Sequence, residues 1–348
     1  MKKSDATVKK TKILLVYTGG TIGMVKDYDT GALKAFNFNE LIKNIPELGQ
    51  LDCTIDSISF DVPIDSSNMN VEHWVCIASI IEDHYDSHDG FVVLHGSDTM
   101  SYTSSALGYM LENLRKPVIF TGSQLPIGDL RTDAKENLIT SIQIAALQED
   151  NMPVIQEVGL YFEYKLYRAN RTTKINAEHF EAFASLNYPA LIESGVHLKI
   201  NREYLFRANS AKKLKVHKVM DRNVVILKLF PGLDQTILHS ILNSPSLKAV
   251  VLETYGSGNA PTDEWFALEL KKAMKRKIFI LNVTQCSGGS VLMGHYETSK
   301  HLEKLQIISG KDITTEAAIT KLMYLLGNNI SPKLFKTICE TSLRGEMQ

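Results

Sequence analysis

The sequence predicts a two-domain α/β protein. The larger N-terminal domain would hold a parallel or mixed sheet, and the smaller C-terminal domain a parallel, Rossmann-like or flavodoxin-like sheet. Short apolar runs rich in β-branched residues alternate with longer segments of helical periodicity. Continuous apolar strands separated by helices are typical of a parallel sheet with both faces covered. The 348 residues also exceed what one hydrophobic core usually supports.

The strands and helices are predicted from the length and periodicity of each apolar run. The runs predicted as buried strands are residues 13–17, 91–94, 118–120, 159–162, 224–229, 247–252 and 278–283. The segments predicted as helices are residues 71–84, 101–114, 134–146, 235–242, 263–274 and 316–326.

A break between domains is predicted where lysines and arginines are dense and apolar runs thin out, just before a new strand–helix series begins at Val224. We predict a larger N-terminal α/β domain over residues 1–197, a linker over 198–222 and a second α/β domain over 223–348. The basic density could instead form a nucleic-acid site. The few aromatic residues among the basic ones favour a solvated linker.

Composition argues against several kinds of partner. A net charge of −1 gives no reason to expect a nucleic-acid partner. No run of 18 apolar residues is present, and the apolar run at 13–17 is too short for a signal peptide, so we expect a cytoplasmic protein with no membrane partner. No C-x-x-C pair occurs, which argues against a disulfide framework and a thiolate metal site; the cysteines are Cys53, Cys76, Cys286 and Cys339.

A glycine-rich segment at 17–23, Tyr-Thr-Gly-Gly-Thr-Ile-Gly, follows the first predicted strand directly. Parallel sheets bind ligands at the carboxyl ends of their strands, and glycines there let the backbone approach a ligand closely. The spacing matches neither a P-loop nor a dinucleotide-binding loop. A purely structural turn would explain the glycines, whereas the hydroxyls of Thr18 and Thr21 point to a nucleophile on a constrained turn.

A second polar segment, His-Gly-Ser-Asp-Thr-Met, follows the next predicted strand. Ser97 supplies a hydroxyl and Asp98 a carboxylate, whereas Thr99 or Ser101 could simply cap the following helix. A Ser-His-Asp triad with His95 is disfavoured, because adjacent residues at a strand end point to opposite sides. We predict a structural, hydrogen-bonding role for His95.

Further polar segments leave two interpretations open. Residues 65–69 could be a helix cap and turn, or a cup of hydroxyls and amides for a small zwitterion. Residues 168–174 could be a solvated basic loop, or could present Lys174 as a base. The glycine-rich segments 255–261 and 284–289 follow strands of the second domain and could be turns alone.

In combination, these segments resemble the L-asparaginases that use a threonine nucleophile, and among them the bacterial cytoplasmic, type I branch. Residues 15–23 match the family pattern aliphatic-x-x-T-G-G-T-[IV]-[AGS] completely. Residues 90–100 match G-x-aliphatic-x-x-H-G-T-D-T-aliphatic, with Ser97 where the family usually has Thr. The resemblance runs from about residue 13 to about residue 345, and further type I matches lie at residues 170–174, 255–261 and 284–286.

The resemblance implies a hydrolase without cofactor or metal that converts L-asparagine to L-aspartate and ammonia through a covalent acyl-enzyme. Thr21 would be the nucleophile, and Ser97, Asp98 and Lys174 would relay protons and activate water. Backbone N–H groups near Thr21 and Ser97 would form the oxyanion hole, in which one donor is typically worth ~3 kcal/mol.

The resemblance also implies which residues hold the substrate. The residues implied for its α-carboxylate and α-amino group are Asp65, Ser66, Ser67, Ser97 and Asp98. Ser123 and Gln124 would line the pocket for the side chain, and Asn259 would be contributed across a subunit interface. The protein would then be a homo-oligomer, a tetramer built from tight dimers, with intersubunit active sites.

Two further positions matter because family members vary there. A Tyr of the mobile loop after the turn usually hydrogen-bonds the nucleophile, and Tyr28 is the Tyr of that loop here. Some members bind asparagine at an effector site that uses an Arg before the Y-G-x-G-N motif, with the Thr and Cys of T-Q-C. Here Glu253 replaces that Arg, beside Thr284 and Cys286. A carboxylate would repel the effector's carboxylate, so we predict that such activation is absent or altered.

Two other functions remain as alternatives. The amidase subunit of a Glu-tRNA(Gln) amidotransferase shares this catalytic domain, but carries an extra module before the first pattern, which here begins about a dozen residues into the chain. A non-catalytic amino-acid sensor on the same fold should have lost the hydroxyl or the acid. Thr21, Ser97, Asp98 and Lys174 keep the needed chemistry, so hydrolysis of asparagine is the prediction.

Overall fold

The protein is a two-sheet α/β structure, as its sequence predicts. It contains an eight-stranded mixed sheet in the N-terminal part and a four-stranded parallel sheet in the C-terminal part, both packed with helices, and the predicted fold class is confirmed. The computed structural model describes residues 10–26, 33–35, 45–209, 211–294 and 297–348.

The larger sheet brings the predicted polar motifs to one edge. Its strands are β1 (Thr11–Gly19), β2 (Cys53–Ile64), β3 (Gly90–Leu94), β4 (Val118–Thr121), β5 (Val158–Phe162), β6 (Lys165–Arg168), β7 (Ile192–Ser194) and β8 (Leu198–Ile200). Their order across the sheet is β8-β7-β6-β5-β4-β3-β1-β2. The strands β1 to β5 are parallel, and β6 to β8 are added antiparallel. The carboxyl ends of β1, β3 and β4 therefore lie side by side, where ligands of such sheets bind.

Alternate side chains of β1 enter two separate cores. Leu14 and Val16 join one apolar cluster, whereas Ile13 and Leu15 join the cluster on the opposite face. Each of these side chains is at most 1% exposed. Burial on both faces explains why β1 is a continuous apolar run rather than an alternating one.

The smaller sheet shares a core layer with the larger one. Its strands, all parallel and in this order, are β9 (Val224–Lys228), β10 (Ala249–Thr254), β11 (Phe279–Thr284) and β12 (Ile308–Ser309). Val251 and Leu281 join the same apolar cluster as Leu14 and Val16. The remaining strand pairs are Met24–Lys26 with Leu33–Ala35, Leu111–Glu112 with Lys215–Val216, Gln148–Glu149 with Met152–Pro153, and Thr173–Lys174 with Phe183–Ala184.

The described helices cover the faces of both sheets. They are α1 (Val71–His84), α2 (Met100–Met110), α3 (Ala134–Ala146), α4 (Gln235–Leu242), α5 (Glu264–Lys275), α6 (Glu297–Lys304), α7 (Thr315–Gly327) and α8 (Pro332–Cys339). The predicted bounds of α1, α3 and α4 are confirmed. The helix α2 packs against α7 between the sheets, and the Tyr109 hydroxyl donates to the carbonyl oxygen of Ala317 at 3.2 Å. None of the helices in the described ranges is long and apolar enough to cross a membrane.

Some predicted elements were wrong or missed. The helix predicted at 101–114 ends at Met110, because Leu111–Glu112 turns into an extended pair with Lys215–Val216. The strand β2 was missed because it is a half-exposed edge strand with alternating residues, not a continuous apolar run. The short helices α6 and α8 were missed because eight residues carry too few apolar positions for a clear period.

The region predicted as a linker, residues 198–222, has regular structure at three places among its described residues. It begins with β8, the edge strand of the larger sheet, and it contains the 3₁₀ turn Arg202–Tyr204 and the extended pair residues Lys215–Val216. Its basic side chains form surface ion pairs, such as Lys218 with Glu82 at 2.6 Å. The division of the chain into domains stays a prediction.

Candidate active site

Glycines let the turn after β1 lie against two neighbouring segments. Gly19 has a φ of 132° and Gly20 a φ of 87°, a region that L side chains rarely adopt. A Cβ on Gly19 would lie 2.2 Å from the carbonyl oxygen of Ile64, and one on Gly20 would lie 2.5 Å from the nitrogen of Gly96. The turn is therefore in close contact with Ile64, the last residue of β2, and with Gly96, just after β3.

The two threonines of this turn use their hydroxyls differently. Thr18 is 1% exposed, and its Oγ1 donates to the carbonyl oxygen of Leu94 at 2.9 Å, so it ties β1 to β3. Thr21 begins the 3₁₀ turn Thr21–Gly23 and is partly exposed. A nucleophile must reach its ligand, so the geometry favours Thr21 over Thr18 for that role.

Lys174 joins two of the predicted catalytic groups. Its Nζ lies 2.9 Å from Ser97 Oγ and 2.7 Å from Asp98 Oδ1. The Lys174 side chain is 18% exposed, whereas that of Asp98 is 66% exposed. The structure thus brings a partly buried lysine amino group, a hydroxyl and an exposed carboxylate together, beside the turn that carries Thr21.

Gln124 holds Ser97 from the other side. Ser97 Oγ donates to Gln124 Oε1 at 3.1 Å. The Gln124 Nε2 donates to the carbonyl oxygens of Ala177 at 3.1 Å and His179 at 3.0 Å, which fixes the orientation of the amide. The Ser97 hydroxyl therefore lies between a donor, Lys174, and an acceptor. These two contacts orient it although it lacks the methyl group of the usual Thr.

Asp133 supports this arrangement and was not predicted. Its carboxylate accepts the backbone N–H of Gln124 at 2.9 Å and of Leu125 at 3.1 Å. Burial raises the pKa of Asp133. The Ser123 hydroxyl donates to the carbonyl oxygen of Leu125 at 2.6 Å within the same turn. The only sequence signal for Asp133 was its place before α3, which is also the place of an ordinary helix cap.

The turn after β2 adjoins the same site. The Asp65 carboxylate accepts the Oγ of Ser67 at 2.6 Å and its N–H at 2.9 Å, and these bonds lower the pKa of Asp65. Ser66 is 4% exposed, and its carbonyl oxygen accepts the Thr99 hydroxyl at 2.7 Å. Asp65 thus caps its own turn. Thr99, one of the two residues suggested as a cap for α2, links two site segments instead, and its side chain makes no capping bond.

His95 is a buried, neutral residue in this structure. It is 0% exposed, and its Nδ1 lies 2.7 Å from the carbonyl oxygen of Gly96. Burial lowers the pKa of His95 to about 4, so the ring is uncharged at neutral pH. Its ring meets Phe120 edge-on at 6.0 Å between centroids. These contacts fit the structural role predicted for it rather than a triad.

The loop that leads to Lys174 is buried, so its interpretation as a solvated basic loop is wrong. Arg168 is 5% exposed and pairs with Glu157 at 2.5 Å. Arg171 is 2% exposed and pairs with Asp312 at 2.6 Å. These ion pairs fix the backbone just before Lys174 and tie it to the C-terminal part of the chain.

The other predicted site residues lie at the smaller sheet or outside the described residues. Asn259 closes the turn after β10, where its N–H donates to the Tyr255 carbonyl oxygen at 2.8 Å. The predicted effector residues Glu253, Thr284 and Cys286 line one cavity of about 200 Å³. Tyr28 lies outside the described residues.

Two family models match this chain and together span most of it. One, described as asparaginase, N-terminal, matches residues 12–206. The other, described as glutaminase/asparaginase C-terminal domain, matches residues 223–338.

Full-length relatives and a solved structure agree with these matches. L-asparaginase 1 of Escherichia coli K12 is 40% identical over 98% of this chain and 99% of that protein. A glutamyl-tRNA(Gln) amidotransferase subunit of Pyrococcus abyssi is 30% identical over 97% of this chain and 76% of that protein. The crystal structure of L-asparaginase I from Vibrio cholerae has a TM-score of 0.89 at 38% identity, and covers 98% of this chain and 100% of that chain. By these matches and by its fold, the chain belongs to the asparaginase family.

Proposed function

We propose that the protein hydrolyses the side-chain amide of L-asparagine to L-aspartate and ammonia, with Thr21 as the nucleophile and no cofactor. The observation that carries this proposal is the contact of Lys174 with Ser97 and Asp98 beside the turn of Thr21. Membership in the asparaginase family supports the reaction type, and the full-length relative named L-asparaginase 1 supports the substrate.

In the first step, Thr21 Oγ1 attacks the amide carbon of the substrate side chain. The C–N bond breaks as the hydroxyl proton reaches the amide nitrogen, and ammonia leaves behind an aspartyl ester on Thr21. We assign the stabilisation of the oxyanion to backbone N–H groups near Thr21 and Ser97. The close contact between the Gly20 and Gly96 backbones supports this assignment, since it brings the two segments that carry these N–H groups together.

In the second step, water attacks the ester carbon and aspartate leaves. One proton of water passes to Ser97 Oγ while the Ser97 proton passes to the Lys174 amine, and Lys174 then returns this proton through Ser97 to the Thr21 oxygen as the ester bond breaks. The ammonium that forms on Lys174 is stabilised by Asp98, 2.7 Å away. Gln124 keeps the Ser97 hydroxyl on this path through its 3.1 Å contact.

The substrate's α-carboxylate and α-ammonium are assigned to the exposed side of the same site. The residues proposed to hold them are Asp65, Ser66, Ser67, Ser97 and Asp98. Asp98 is exposed enough for one carboxylate oxygen to accept a hydrogen bond from the substrate's ammonium while the other contacts Lys174. Gln124 and Ser123 are proposed to line the pocket for the side chain. The Ser123 hydroxyl already donates to the Leu125 carbonyl oxygen, so Ser123 would contact the substrate by packing rather than by a hydrogen bond.

Three finer features are part of the same proposal. Asn259 lies in the turn after β10, and we propose that it completes the active site of a neighbouring subunit in a homo-oligomer. Tyr28 is proposed to contact Thr21 from the loop after the turn. We also propose a cytoplasmic location, with no nucleic-acid or membrane partner.

An ammonia-release assay over L-asparagine, L-glutamine and D-asparagine tests the proposed function. We expect fast release from L-asparagine, without added metal or cofactor. Strong preference for L-glutamine would favour an amidotransferase subunit instead. Binding of asparagine without ammonia release would favour a non-catalytic sensor, and either result would contradict the proposal.

The predicted effector cavity should not bind asparagine in the expected way. The Glu253 side chain is 13% exposed and its Oε1 accepts the Thr315 hydroxyl at 2.6 Å, and the nearby Glu316 carboxyl is buried. Two acidic side chains in one cavity disfavour a ligand that presents a carboxylate there. We expect initial rates to follow a hyperbolic curve in asparagine concentration, both in the wild type and in Glu253→Ala.

The matched control for this prediction is Glu264→Ala, which removes an exposed carboxylate at the start of α5. A sigmoidal rate curve that Glu253→Ala abolishes and Glu264→Ala preserves would refute the prediction. Such a result would show that Glu253 couples asparagine binding in the effector cavity to turnover at the active site.

A further inference from the structure

The Asp133 carboxylate is buried at the start of α3 but does not cap that helix. Asp133 is 6% exposed and holds the N-cap position, yet its side chain makes no capping hydrogen bond. The N–H of Ala134 donates to the Thr132 hydroxyl instead, at 3.0 Å. Aspartate is favoured at this position because its carboxylate usually accepts the first N–H groups of the helix. The Asp133 carboxylate therefore has its acceptors free for other groups.

The acceptors of Asp133 serve the turn that follows β4. Its Oδ2 accepts the Gln124 N–H at 2.9 Å, and its Oδ1 accepts the Leu125 N–H at 3.1 Å. Asn137, one turn further along α3, donates from Nδ2 to the same carboxylate at 3.2 Å and to the Gly122 carbonyl oxygen at 3.0 Å. The backbone of the turn is thus joined to the start of α3 at each of these contacts.

The negative charge of Asp133 is stabilised by N–H groups rather than by a cation. Within the described ranges, no lysine, arginine or histidine forms an ion pair with this carboxylate, and its contacts are backbone N–H groups and the Asn137 amide. A buried carboxylate without a cation lowers the stability of a fold. A neutral serine or asparagine would suit the N-cap position without that loss. Capping of α3 therefore does not explain the carboxylate, whereas its contacts with the turn do.

Gln124 links this turn to the Ser97 hydroxyl. Its Oε1 accepts Ser97 Oγ at 3.1 Å, and its Nε2 donates to two carbonyl oxygens of the loop that follows Lys174. Ser97 Oγ lies 2.9 Å from Lys174 Nζ. The Asp133 carboxylate is therefore connected to the hydroxyl of the proposed relay by one hydrogen bond to the Gln124 backbone and one to its side chain. A shift of that backbone would move the acceptor that orients Ser97.

We propose that Asp133 is a positioning residue for the second step, hydrolysis of the ester on Thr21. By fixing the Gln124 backbone, Asp133 keeps the Ser97 hydroxyl beside the Lys174 amine that takes up its proton. The inference rests on the proposed function, in which the Ser97 hydroxyl relays a proton only in this step. The described hydrogen bonds of the Asp133 carboxylate reach neither Thr21 nor Lys174, so Asp133 acts through Gln124.

Rapid acid quench during asparagine turnover tests this inference in Asp133→Asn and Asp133→Ser. Both variants place a residue that is favoured as an N-cap at the start of α3. Asparagine offers one acceptor oxygen in place of two, and the serine hydroxyl ends short of the Gln124 N–H. We expect hydrolysis of the aspartyl ester to slow about 10- to 100-fold, as for a small misplacement of a catalytic group. The ester should therefore occupy a larger fraction of the active sites at steady state than in the wild type.

The ratio kcat/KM separates this effect from a general loss of structure. It includes only the steps up to ammonia release, so it should stay within about threefold of the wild-type value although kcat falls. Partial unfolding would lower kcat and kcat/KM equally. The matched control is Asp129→Asn, the same change at a half-buried residue of the same loop, whose hydrogen bonds in the described part of the chain come from its backbone. It should leave ester hydrolysis unchanged.

Gln124→Leu tests the route by which Asp133 acts. On its own, this change should slow ester hydrolysis about tenfold, because Ser97 loses its acceptor. In the double variant Gln124→Leu/Asp133→Asn, the second change should slow the step by no more than about twofold further, since both residues act through one contact. Two residues that acted independently would instead multiply their effects.

The inference is overturned by an unchanged rate of ester hydrolysis in both folded Asp133 variants, or by an equal loss of kcat and kcat/KM in them. Multiplied effects in the double variant, or unchanged ester hydrolysis in Gln124→Leu, would overturn it as well. The Gln124→Leu result decides even if both Asp133 variants fail to fold. A wild type that releases no ammonia from asparagine would contradict the proposed function together with the inference, whereas the other results overturn the inference alone.

Discussion

Thr21→Val should lower kcat for asparagine by at least ~10³-fold, which corresponds to ~4 kcal/mol of transition-state stabilisation. Valine keeps the shape of threonine but lacks the oxygen that forms the ester in the proposed mechanism. Thr21 is partly exposed and directly follows Gly20, whose backbone contacts Gly96. Steady-state ammonia release measures the effect, and calorimetry should show that L-aspartate still binds.

Thr18→Val is the matched control, because it makes the same change within the same turn. The Thr18 hydroxyl only ties β1 to the Leu94 carbonyl oxygen, so its loss should cost ~1 kcal/mol of stability and leave kcat within about tenfold. A larger loss of activity in Thr18→Val than in Thr21→Val would show that the nucleophile was assigned to the wrong threonine.

Lys174→Met should lower kcat by ~10²–10⁴-fold, the range expected when a positioned acid or base is removed. Methionine keeps an unbranched side chain but can neither take up the Ser97 proton nor carry a positive charge beside Asp98, the two groups that Lys174 contacts. Rapid-quench measurements should show ammonia appearing before aspartate, because hydrolysis of the ester would become the slower step.

The control for Lys174 is Lys165→Met, which removes an exposed lysine on β6 of the same sheet. It should leave both kcat and KM unchanged. Wild-type turnover in Lys174→Met would remove Lys174 from the mechanism, whatever its contacts in the structure.

The sequence predicted the strand ends well, because the double burial of β1 and β3 produces continuous apolar runs that stop where polar residues begin. The contact between Lys174 and Ser97 could be expected only from the family resemblance. The two residues are 77 positions apart, and neither motif alone indicates that they meet. The contact forms because the chain turns back through the β5–β6 hairpin before it reaches Lys174.

Other parts of the site could not be predicted because their signals are ambiguous in one sequence. Asp133 looks like an ordinary helix cap, yet its carboxylate holds the turn of Gln124. Thr99 also looks like a cap, yet it donates to the Ser66 carbonyl oxygen. The burial of Arg171 depends on the Asp312 carboxylate and the Gly345 carbonyl oxygen, 141 and 174 positions away, which local composition does not reveal.

The central claim, covalent catalysis through Thr21, is tested most directly by rapid acid quench of the enzyme during asparagine turnover, followed by peptide mass spectrometry. The proposed mechanism predicts one aspartyl group bound as an ester to the peptide that contains Thr21, at the Thr21 oxygen. An aspartyl ester on Thr18 or Ser97, or full ammonia release by Thr21→Val, would contradict it.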